Sequence, residues 1–317
     1  MSTPSADKSR SSRAEYTARI NRVIDYIDRH IGESLRLEDL ARVANFSPFH
    51  FHRIFGAMVG ETLNAWIQRR RAELAAAALI AYPATPITSI ALDYGYSGSD
   101  AFARAFRERF GMSATEWRSE PGEEWRKNRQ TDRKNGQAPA KASGYDGGEI
   151  HAARRLFMDK SKYTVEVKEM PEMTVAYVRH IGPFQGMGEA FQKLMQWAGP
   201  RGLLRFPQTK VLGVYHDNPH ITETDKLRSD ACITVSPEAK VEGEIGKMAI
   251  PGGLFAVAHA EIAPDEFGQA WDAMVDWMAG SGYQPDDRIC YELYLNEPQN
   301  HPEGKFIIDI CEPIKPL

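Results

Sequence analysis

The chain has 317 residues, a formal net charge of −4 at pH 7 and an ordinary globular composition, of which 42% is hydrophobic and 26% is charged. This length favours two domains over one. The longest apolar run, residues 74–82, is far shorter than the roughly 20 residues that span a bilayer, and the N-terminus lacks the apolar segment of an export signal. We therefore expect a cytoplasmic protein without a membrane partner.

The three cysteines, Cys232, Cys290 and Cys311, are odd in number and widely spaced along the chain. Zinc sites built from cysteine need closely spaced pairs, and disulfides are rare in cytosolic proteins. We therefore expect three reduced thiols, with no metal and no cofactor.

The N-terminal third is predicted to be helical after a disordered tail. Residues 1–14 are rich in Ser, Thr and Arg and show no periodicity, which is typical of a disordered segment. An amphipathic helix follows, in which apolar residues recur from Ile20 to Ile31 and Gly32 supplies a C-cap. We expect this helix to pack beneath the first of two helix-turn-helix units.

Two stretches each predict a short helix, a tight turn and a second helix. In the first, residues 37–44 have the apolar spacing of a helix with one buried face, and Ser47-Pro48 begins the next helix with an N-cap and a proline. In the second, residues 87–94 form the short helix, Gly95 the turn, and 97–110 a helix with regularly spaced phenylalanines. Turns this short favour a helix-turn-helix over a long helical hairpin.

Residues 62–81 predict one long helix that joins the two units, and Tyr82-Pro83 ends it. This helix carries three consecutive arginines, Arg69-Arg70-Arg71. On a helix, such a run is either a solvated face or, beside DNA-reading helices, a set of phosphate contacts. The sequence leaves both interpretations open.

The segments Ser47–Phe55 and Phe102–Ser113 resemble the AraC/XylS family of transcription regulators, and the second contains the signature of that family. Ala114 departs from the family pattern, which usually has proline there. The resemblance implies an all-α tandem helix-turn-helix domain over residues 15–119 that binds double-stranded DNA and works with RNA polymerase. Seven positions match those that face the major groove in the family: Phe49, His52, Arg53, Ser99, Asp100, Ala103 and Arg104. Arg107 is also predicted to contact DNA.

Two recognition helices on one chain predict a particular kind of DNA site. If the 62–81 helix holds them rigidly, they enter successive major-groove segments about 34 Å apart on one face of the duplex. One chain then reads a bipartite, non-palindromic site without dimerising. Arg53 and Arg104 are the best candidates for bidentate contacts to guanine.

Composition changes between residues 120 and 160, where glycines and charged residues replace large apolar ones. We expect a flexible linker there. It separates two domains of different charge, because residues 14–119 contain 13 basic and 12 acidic side chains, whereas 161–317 contain 14 basic and 23 acidic ones. The C-terminal domain is therefore not expected to bind DNA by electrostatics.

Residues 161–317 have the pattern of an α+β domain that repeats internally. A shift of 79 to 80 places superimposes the second half on the first and aligns, for example, Gly213 with Glu292 and Trp197 with Trp277. We expect two strand-helix-strand-strand modules whose sheets meet about a pseudo-twofold axis, with helices on one side and a cleft on the other. Strands are predicted over residues 163–169, 174–181, 211–217, 231–236, 254–262, 289–296 and 306–311, and helices over 186–198 and 264–279.

Pro183-Phe184, the paired helices and the segment Tyr291–Leu295 resemble the GyrI-like small-molecule-binding domain, over almost all of residues 161–317. The resemblance implies a ligand cleft with an acidic residue on the penultimate strand. Glu292 matches that position. The alternative interpretation of Glu292 is an exposed carboxylate on a sheet.

Strand alternation agrees with a role for Glu292 in the cleft. Glu292 and Tyr294 share one face of their strand, while Tyr291, Leu293 and Leu295 share the other and can pack under the helices. The repeat mate of Glu292 is glycine, which would leave space opposite the carboxylate. The predicted ligand-binding residues are Glu292, Tyr294, Tyr215, Phe184 and Gly213.

The sequence thus indicates a DNA-binding transcription regulator whose C-terminal domain senses a small organic effector. A carboxylate in an aromatic-lined cleft of an acidic domain favours a lipophilic cation. Two other functions stay open for this domain: hydrolysis of a small molecule, which some GyrI-like domains carry out, and sequestration of a drug. No catalytic residue is assigned.

Overall fold

The computed structural model describes residues 4–119, 163–219, 221–286 and 288–316. The predicted linker, residues 120–160, lies outside the described part. The described residues form two compact units: residues 4–29, 36–60 and those from 163 onward belong to the first, and residues 30–35 and 61–119 to the second. Domain limits at 15–119 and 161–317 stay a prediction.

Three helices begin the first unit: α1 (Pro4–Arg29), α2 (Leu37–Val43) and α3 (Pro48–Val59). The prediction of a disordered tail over residues 1–14 is wrong from Pro4 onward, because α1 extends back to that residue. The extension contains no glycine, and its proline lies in the first turn, where proline is tolerated. Helix α1 contacts α2, and α2 contacts α3.

Four helices form the described part of the second unit: α4 (Leu63–Ala81), α5 (Ile87–Asp93), α6 (Ser99–Phe110) and α7 (Ala114–Ser119). The ring of Trp117 on α7 lies 5.8 Å from that of Phe106 and 4.6 Å from that of Phe110. Its indole N–H donates to the carbonyl of Ala76 at 3.0 Å. Aromatic packing and a hydrogen bond therefore join α4, α6 and α7.

Helix α7 begins without the proline that the family usually carries. Ser113 and Glu116 instead cap it reciprocally: the Ser113 amide donates to the Glu116 carboxylate at 2.7 Å, and the Glu116 amide donates to the Ser113 hydroxyl at 3.2 Å. A capping box of this kind satisfies two backbone donors at a helix start. The departure at Ala114 therefore leaves the start of the helix defined.

The three consecutive arginines of α4 are structural. Arg69 forms ion pairs with Glu61 at 2.6 Å and with Glu73 at 3.1 Å, and Arg70 is buried. The Arg71 guanidinium donates to three backbone carbonyls: those of Ile31, Glu33 and Gly95. Neither a solvated face nor a set of phosphate contacts describes this run, because internal acceptors engage the guanidiniums of Arg69 and Arg71, and Arg70 is buried.

The rest of the first unit is an antiparallel sheet with two helices. The helices are α8 (Met187–Ala198) and α9 (Phe267–Ser281). The strands are β1 (Thr164–Met170), β2 (Met173–Ile181), β3 (Val211–Tyr215), β4 (Arg228–Thr234), β5 (Gly246–Ile250), β6 (Gly253–Ile262), β7 (Tyr283–Pro285), β8 (Tyr291–Tyr294) and β9 (Phe306–Pro316). Eight strands are hydrogen-bonded in the order β1-β6-β9-β8-β3-β4-β2-β5, and β7 pairs with β9.

Two consecutive segments of the chain build most of this sheet. One runs β2, α8, β3, β4 and the other runs β6, α9, β7, β8, β9, and β3 pairs with β8 where the two segments meet. Strands β5 and β7 have no counterpart among the predicted strands. The reason is that β7 has three residues, while β5 is an edge strand that begins with glycine and lysine, two residues that strands disfavour.

Both helices pack on the same face of the sheet. Helix α8 packs on small and branched residues of the first segment, such as Ala231 and Ile233, and α9 packs on those of the second, such as Ala258 and Ile310. The opposite face has its own core, formed by residues from seven strands. The largest side chains of that core are aromatic.

The expectation that helices and cleft occupy opposite faces is wrong. Glu292 lies on the face that bears the helices, because Trp271 of α9 hydrogen bonds to it. Tyr291 and Leu293 belong to the opposite core, and Leu295 is 51% exposed. Alternation along a strand separates residues into two faces, but it does not say which face the helices cover.

Among the described residues, no helix combines the length and the apolar character needed to cross a membrane. The three cysteines are free thiols, of which Cys232 and Cys311 are buried and Cys290 is partly buried. The described residues contain no group of three or more side chains placed to hold a metal ion.

Candidate functional site

Glu292 lies at the centre of the sheet. Its backbone pairs with Gly213 of β3 on one side and with Ile310 of β9 on the other. Because β3 and β8 are the strands at which the two segments meet, Glu292 lies at the junction of the two halves. The residue is 1% exposed, so the interpretation of Glu292 as an exposed carboxylate is wrong.

Three side-chain donors satisfy the Glu292 carboxylate. The hydroxyls of Tyr215 and Tyr294 donate to Oε2 at 2.7 and 2.9 Å, and the indole N–H of Trp271 donates to Oε1 at 2.6 Å. Hydrogen bonds to a charged acceptor are stronger than those between neutral groups. All three donors are uncharged, and no lysine or arginine of the described residues pairs with this carboxylate.

Aromatic rings surround the carboxylate. The ring of Tyr215 lies 5.0 Å from that of Phe184 and 6.1 Å from that of Trp271, edge to face in both cases. On the other side, the ring of Phe191 lies 5.6 Å from that of Tyr294. Phe191 and Trp271 come from α8 and α9, so each half of the sheet domain contributes to one aromatic cluster.

Gly213 leaves room for the two tyrosine hydroxyls. A Cβ atom at this position would lie 3.1 Å from the hydroxyl oxygen of Tyr294 and 3.3 Å from that of Tyr215. These separations are shorter than ordinary van der Waals contact, so a side chain here would push the hydroxyls away from Glu292. The glycine thus serves a close approach of side chains.

Burial dominates the electrostatics of the site. Burial raises the pKa of Glu292 above its ordinary value, although the three hydrogen bonds partly oppose this shift. Burial and the neighbouring carboxylate raise the pKa of Tyr215 and of Tyr294 well above that of an ordinary tyrosine. A positive group next to Glu292 would supply a stabilisation that the surrounding side chains do not provide.

The carboxylate is sealed beneath its donors. Tyr215, Trp271 and Tyr294, which we call the aromatic cap, each keep some exposed surface, whereas Glu292 keeps almost none. A ligand therefore reaches the carboxylate only when a residue of the cap moves. This differs from the open cleft that the sequence predicts.

A second carboxylate lies on the same face of the sheet. Glu312 is two residues beyond Ile310 on β9 and therefore points to the same side. Burial raises the pKa of Glu312 to about 7, against the effect of a hydrogen bond from Cys290. Burial and Glu312 in turn raise the pKa of the Cys290 thiol well above its ordinary value, so this cysteine is not an activated nucleophile.

Trp271 is absent from the predicted ligand-binding residues, because tryptophans at helical spacing usually belong to a core. Its hydrogen bond to Glu292 and its contact with Tyr215 place it in the site. Two features of the sequence indicate that Trp271 belongs to the site. A buried indole N–H needs an acceptor, and the 80-residue shift aligns Trp271 with Phe191, which lies on the other side of the same cluster.

Helix α3 exposes residues predicted to contact DNA. Phe51 and Phe55 are fully buried, whereas His52 and Arg53 are exposed. Phe49 lies in the first turn of α3, and its side chain is outside the described part. The helix thus has an anchored side and a side available to a partner.

Helix α6 of the second unit is divided in the same way. Its three phenylalanines are buried, and neighbouring ring centroids lie 5.2 and 4.6 Å apart. Gly111 ends the helix in the left-handed conformation, with φ of 75°. The predicted contact residues on α6 are all exposed: Ser99, Asp100, Ala103, Arg104 and Arg107.

Family models match both parts of the chain. A model of the GyrI-like small molecule binding domain matches residues 163–315, and a model of a helix-turn-helix domain matches residues 40–120. The first match spans the whole sheet with α8 and α9, and it includes every residue that surrounds Glu292. The second match includes α3 and α6.

Two relatives each match a part of this chain. DNA gyrase inhibitor 2 of Dickeya dadantii is 37% identical over 158 residues, which are 48% of this chain and 96% of that protein. The uncharacterised HTH-type transcriptional regulator YbfP of Bacillus subtilis is 38% identical over 104 residues, which are 33% of this chain and 35% of that protein. The chain is an AraC-type regulator with a GyrI-like domain.

Solved structures resemble parts or most of this AraC-type regulator. EcmrR in complex with DNA has 15% sequence identity and a TM-score of 0.45, and the match covers 89% of this chain and 100% of that one. A transcriptional regulator with an AraC-type DNA-binding domain from Chromobacterium violaceum has 22% identity and a TM-score of 0.31, over 33% of this chain and 95% of that one. The family assignment rests on the family models and the relatives.

Proposed function

We propose that this AraC-type regulator changes the transcription of its target genes when a lipophilic organic cation enters the GyrI-like domain. One observation carries the proposal: the carboxylate at the centre of a small-molecule-binding domain is buried, and the donors that satisfy it among the described residues are all uncharged. Ligand binding would alter how the helix-turn-helix region holds promoter DNA and thereby the access of RNA polymerase to the promoter.

Three properties of the site favour a cation. Burial raises the pKa of Glu292, so a positive group would recover electrostatic energy that the site lacks. Residues 161–317 contain 23 acidic and 14 basic side chains, an excess that attracts cations. The rings of Phe184, Phe191 and Trp271 offer cation–π contacts of about 0.5 to 2 kcal/mol each.

Entry of the ligand would begin with movement of the aromatic cap. In the described part of the chain, Trp271 provides the single side-chain donor to Oε1 of Glu292, whereas two tyrosines share Oε2. Rotation of the indole therefore frees one carboxylate oxygen while the other stays satisfied. A cation then replaces a neutral donor with a charged partner, which is the stronger interaction, whereas a neutral molecule of the same shape offers no such gain.

Two ions of the same shape and opposite charge, tetraphenylphosphonium and tetraphenylborate, test this preference by calorimetry on the full chain. We expect the cation to bind and the anion not to bind. Glu292→Gln keeps the shape and removes the charge, so it should weaken cation binding more than about tenfold, or about 1.4 kcal/mol.

The matched control is Glu189→Gln, which removes an equal charge from an exposed position in the first turn of α8. This variant should bind tetraphenylphosphonium almost as wild type does. Equal binding of the two ions would contradict the proposal. Equal affinity of wild type and Glu292→Gln for a panel of organic cations would contradict it as well.

We also propose that one chain reads a bipartite DNA site with α3 and α6. The support is that each helix buries its aromatic residues and exposes its predicted contact residues. Hydroxyl-radical footprinting on promoter DNA should reveal two protected segments about one helical turn, or 34 Å, apart. A symmetric site that is occupied only by two chains would refute single-chain reading.

We further infer that the GyrI-like domain consists of two repeated strand-helix-strand-strand modules. The support is that each segment contains a strand, a helix and two paired strands, although the second segment also contains β7. Gly213 also pairs with Glu292, and the 79-residue shift makes these two positions equivalent. One module would then contribute the charge of the site and the other the space beside it. A superposition of residues 173–234 on 253–316 that fails to align Gly213 with Glu292 would contradict this inference.

Hydrolysis and drug sequestration are the alternative functions of the domain. Both oxygens of Glu292 already accept hydrogen bonds, and the pKa of Cys290 is raised, so neither group is prepared for nucleophilic catalysis. Mass spectrometry of a cationic ester incubated with the protein detects any turnover. A cation that binds tightly and leaves DNA affinity unchanged would point to sequestration.

A further inference from the structure

Two buried ion networks attach helix α1 to the sheet of the GyrI-like domain. Asp25 and Asp28 lie near the C-terminal end of α1, about one turn apart, and each pairs with an arginine on a strand. The partners are Arg179 on β2 and Arg228 at the start of β4. All four residues belong to the first unit.

In the first network, Arg179 joins α1 to β4. Its Nη1 donates to Asp25 at 2.6 Å, and its Nε and Nη2 each donate to Asp230 at 2.8 Å. The Tyr177 hydroxyl donates to the other oxygen of Asp25 at 2.7 Å. Nε2 of His216 lies 2.8 Å from Asp230 and 3.0 Å from Arg179. The side chains of Arg179 and Asp230 are 1% and 0% exposed, so solvent does not screen the interaction between these two residues.

In the second network, Arg228 joins α1 to the end of β3. Its Nε and Nη2 donate to the two oxygens of Asp217 at 2.8 Å each, and its Nη1 donates to Asp28 at 2.7 Å. The backbone amide of Arg228 also donates to Asp217, at 2.8 Å. Both arginines thus bind one aspartate of the sheet domain and one aspartate of α1.

Both networks reach the ligand site through three consecutive residues at the end of β3. Tyr215 donates to Glu292, His216 contacts Asp230, and Asp217 binds Arg228. Because these residues share adjacent peptide units, a displacement of the Tyr215 backbone also displaces the residues that follow it. The aromatic cap and the two networks are therefore covalently continuous.

We infer that residues 215–217 transmit occupancy of the ligand site to the first helix-turn-helix unit. A ligand that displaces Tyr215 from Glu292 shifts this segment, and the two networks pass the shift to Asp25 and Asp28 on α1. Helix α1 contacts α2, and α2 contacts the recognition helix α3. This inference rests on the proposed function, since it describes how the proposed ligand site regulates DNA binding.

The hydrogen bonds in the two networks favour transmission of the displacement to α1 over local rearrangement of the side chains. A buried guanidinium with several charged hydrogen bonds has few alternative arrangements, because each would separate charges in a low-dielectric environment. Networks of hydrogen bonds and ion pairs with discrete arrangements can carry energetic coupling between distant sites. The aspartates of α1 are the most exposed members, with side chains 22% and 21% exposed. Their replacement still leaves each arginine bound to an aspartate of the sheet domain.

The first experiment measures the coupling in the full chain. Fluorescence anisotropy gives the affinity for a duplex selected from a random library, with and without saturating tetraphenylphosphonium. We expect the cation to change the wild-type DNA affinity at least about fivefold. The double variant Asp25→Asn/Asp28→Asn should keep each separate affinity within about threefold and lose the coupling. Glu15→Gln, which removes an ion pair with Arg19 inside α1, is the matched control and should retain the coupling.

The second experiment needs no ligand. Tyr215→Phe removes the hydroxyl that donates to Glu292, so amide hydrogen exchange in residues 20–29 of α1 should change at least about threefold. This change should disappear in the Asp25→Asn/Asp28→Asn background. Unchanged exchange in α1, or full coupling in the double variant, overturns the inference and leaves the ligand site standing. Failure of wild type to bind the cation instead overturns the proposed function, and the exchange experiment still decides whether the segment transmits.

Discussion

Gly213 and Glu292 pair directly across β3 and β8, so a residue without a side chain lies opposite the buried carboxylate. The hydroxyls of Tyr215 and Tyr294 occupy the space beside Gly213, and both donate to Glu292. One position therefore supplies the charge, and its partner supplies the room in which the donors approach. The geometry of the site therefore depends on the glycine as well as on the carboxylate.

Gly213→Val should disrupt this arrangement. Its Cβ alone would lie 3.1 and 3.3 Å from the two hydroxyl oxygens. We expect a stability loss of about 1 to 3 kcal/mol from overpacking and cation binding that is more than about tenfold weaker. Gly188→Val is the matched control, because a Cβ at Gly188 meets nothing within 4 Å. Chemical denaturation and calorimetry measure both effects. Equal results for the two variants would mean that the space beside Gly213 is not required.

Trp271→Phe should separate the indole hydrogen bond from the packing of the ring. Phenylalanine cannot donate to Oε1 of Glu292, which leaves part of a buried carboxylate unsatisfied, at a cost of about 1 to 3 kcal/mol. The variant should also lose most of the tryptophan fluorescence change that accompanies cation binding. Trp197→Phe is the control, since Nε1 of Trp197 has no hydrogen-bond partner among the residues that the structure describes. A fluorescence response that depends on Trp197 and not on Trp271 would exclude the indole from the cap.

Local patterns predicted that Glu292, Tyr294 and Gly213 lie together, which the structure confirms, but they did not predict what surrounds these residues. Strand alternation places Glu292 and Tyr294 on one face of their strand, because successive side chains point to opposite faces. The 79-residue shift relates Gly213 to Glu292. The prediction that Tyr291, Leu293 and Leu295 pack under the helices is wrong, because Glu292 lies on the face that bears them. Small residues such as Ala231 and Ala258 lie under α8 and α9, whereas large apolar residues fill the opposite core, so apolar size on a strand did not mark the helix side.

Sequence patterns do not predict the ion pairs between residues that are far apart in the chain. Asp28 and Arg228 are 200 residues apart, and nothing in the amphipathic pattern of α1 distinguishes Asp28 from a solvated aspartate. In the same way, the sequence of α4 does not distinguish arginines on a solvated face or at phosphate contacts from arginines that bind acceptors inside the protein. Periodicity reports which side of a helix is buried, while the partner of a buried charge is decided by the tertiary fold.

Glu312 should make stability fall as pH rises. Burial raises the pKa of Glu312 from its ordinary value to about 7, so the folded chain holds this proton more tightly than the unfolded chain. The free energy of unfolding therefore decreases between about pH 4.5 and pH 7. Glu312→Gln resembles the protonated form, so it should match wild type at pH 5 and exceed it at pH 8, by on the order of 3 kcal/mol.

Chemical denaturation at the two pH values measures this difference. Glu303→Gln is the control, because Glu303 is exposed and Lys305 holds its pKa below the ordinary value. That variant should show no gain at high pH. If Glu312→Gln were no more stable than wild type at pH 8, the carboxyl would have to be ionised at neutral pH with a compensating partner.

Arg53 and Arg104 should read bases rather than phosphates. Both are exposed on helices whose opposite sides are anchored by buried phenylalanines. A bidentate contact between arginine and guanine contributes about 1 to 3 kcal/mol of discrimination, so Arg53→Ala should weaken binding to a selected duplex about 10-fold to 100-fold and binding to random DNA much less. Arg104→Ala should have a smaller effect, because Asp100 on the same helix repels phosphates.

Arg42→Ala, which removes an arginine that is 78% exposed, is the control for charge alone. Competition binding with both duplexes measures the ratio, and an equal loss on the two would assign Arg53 to a phosphate contact.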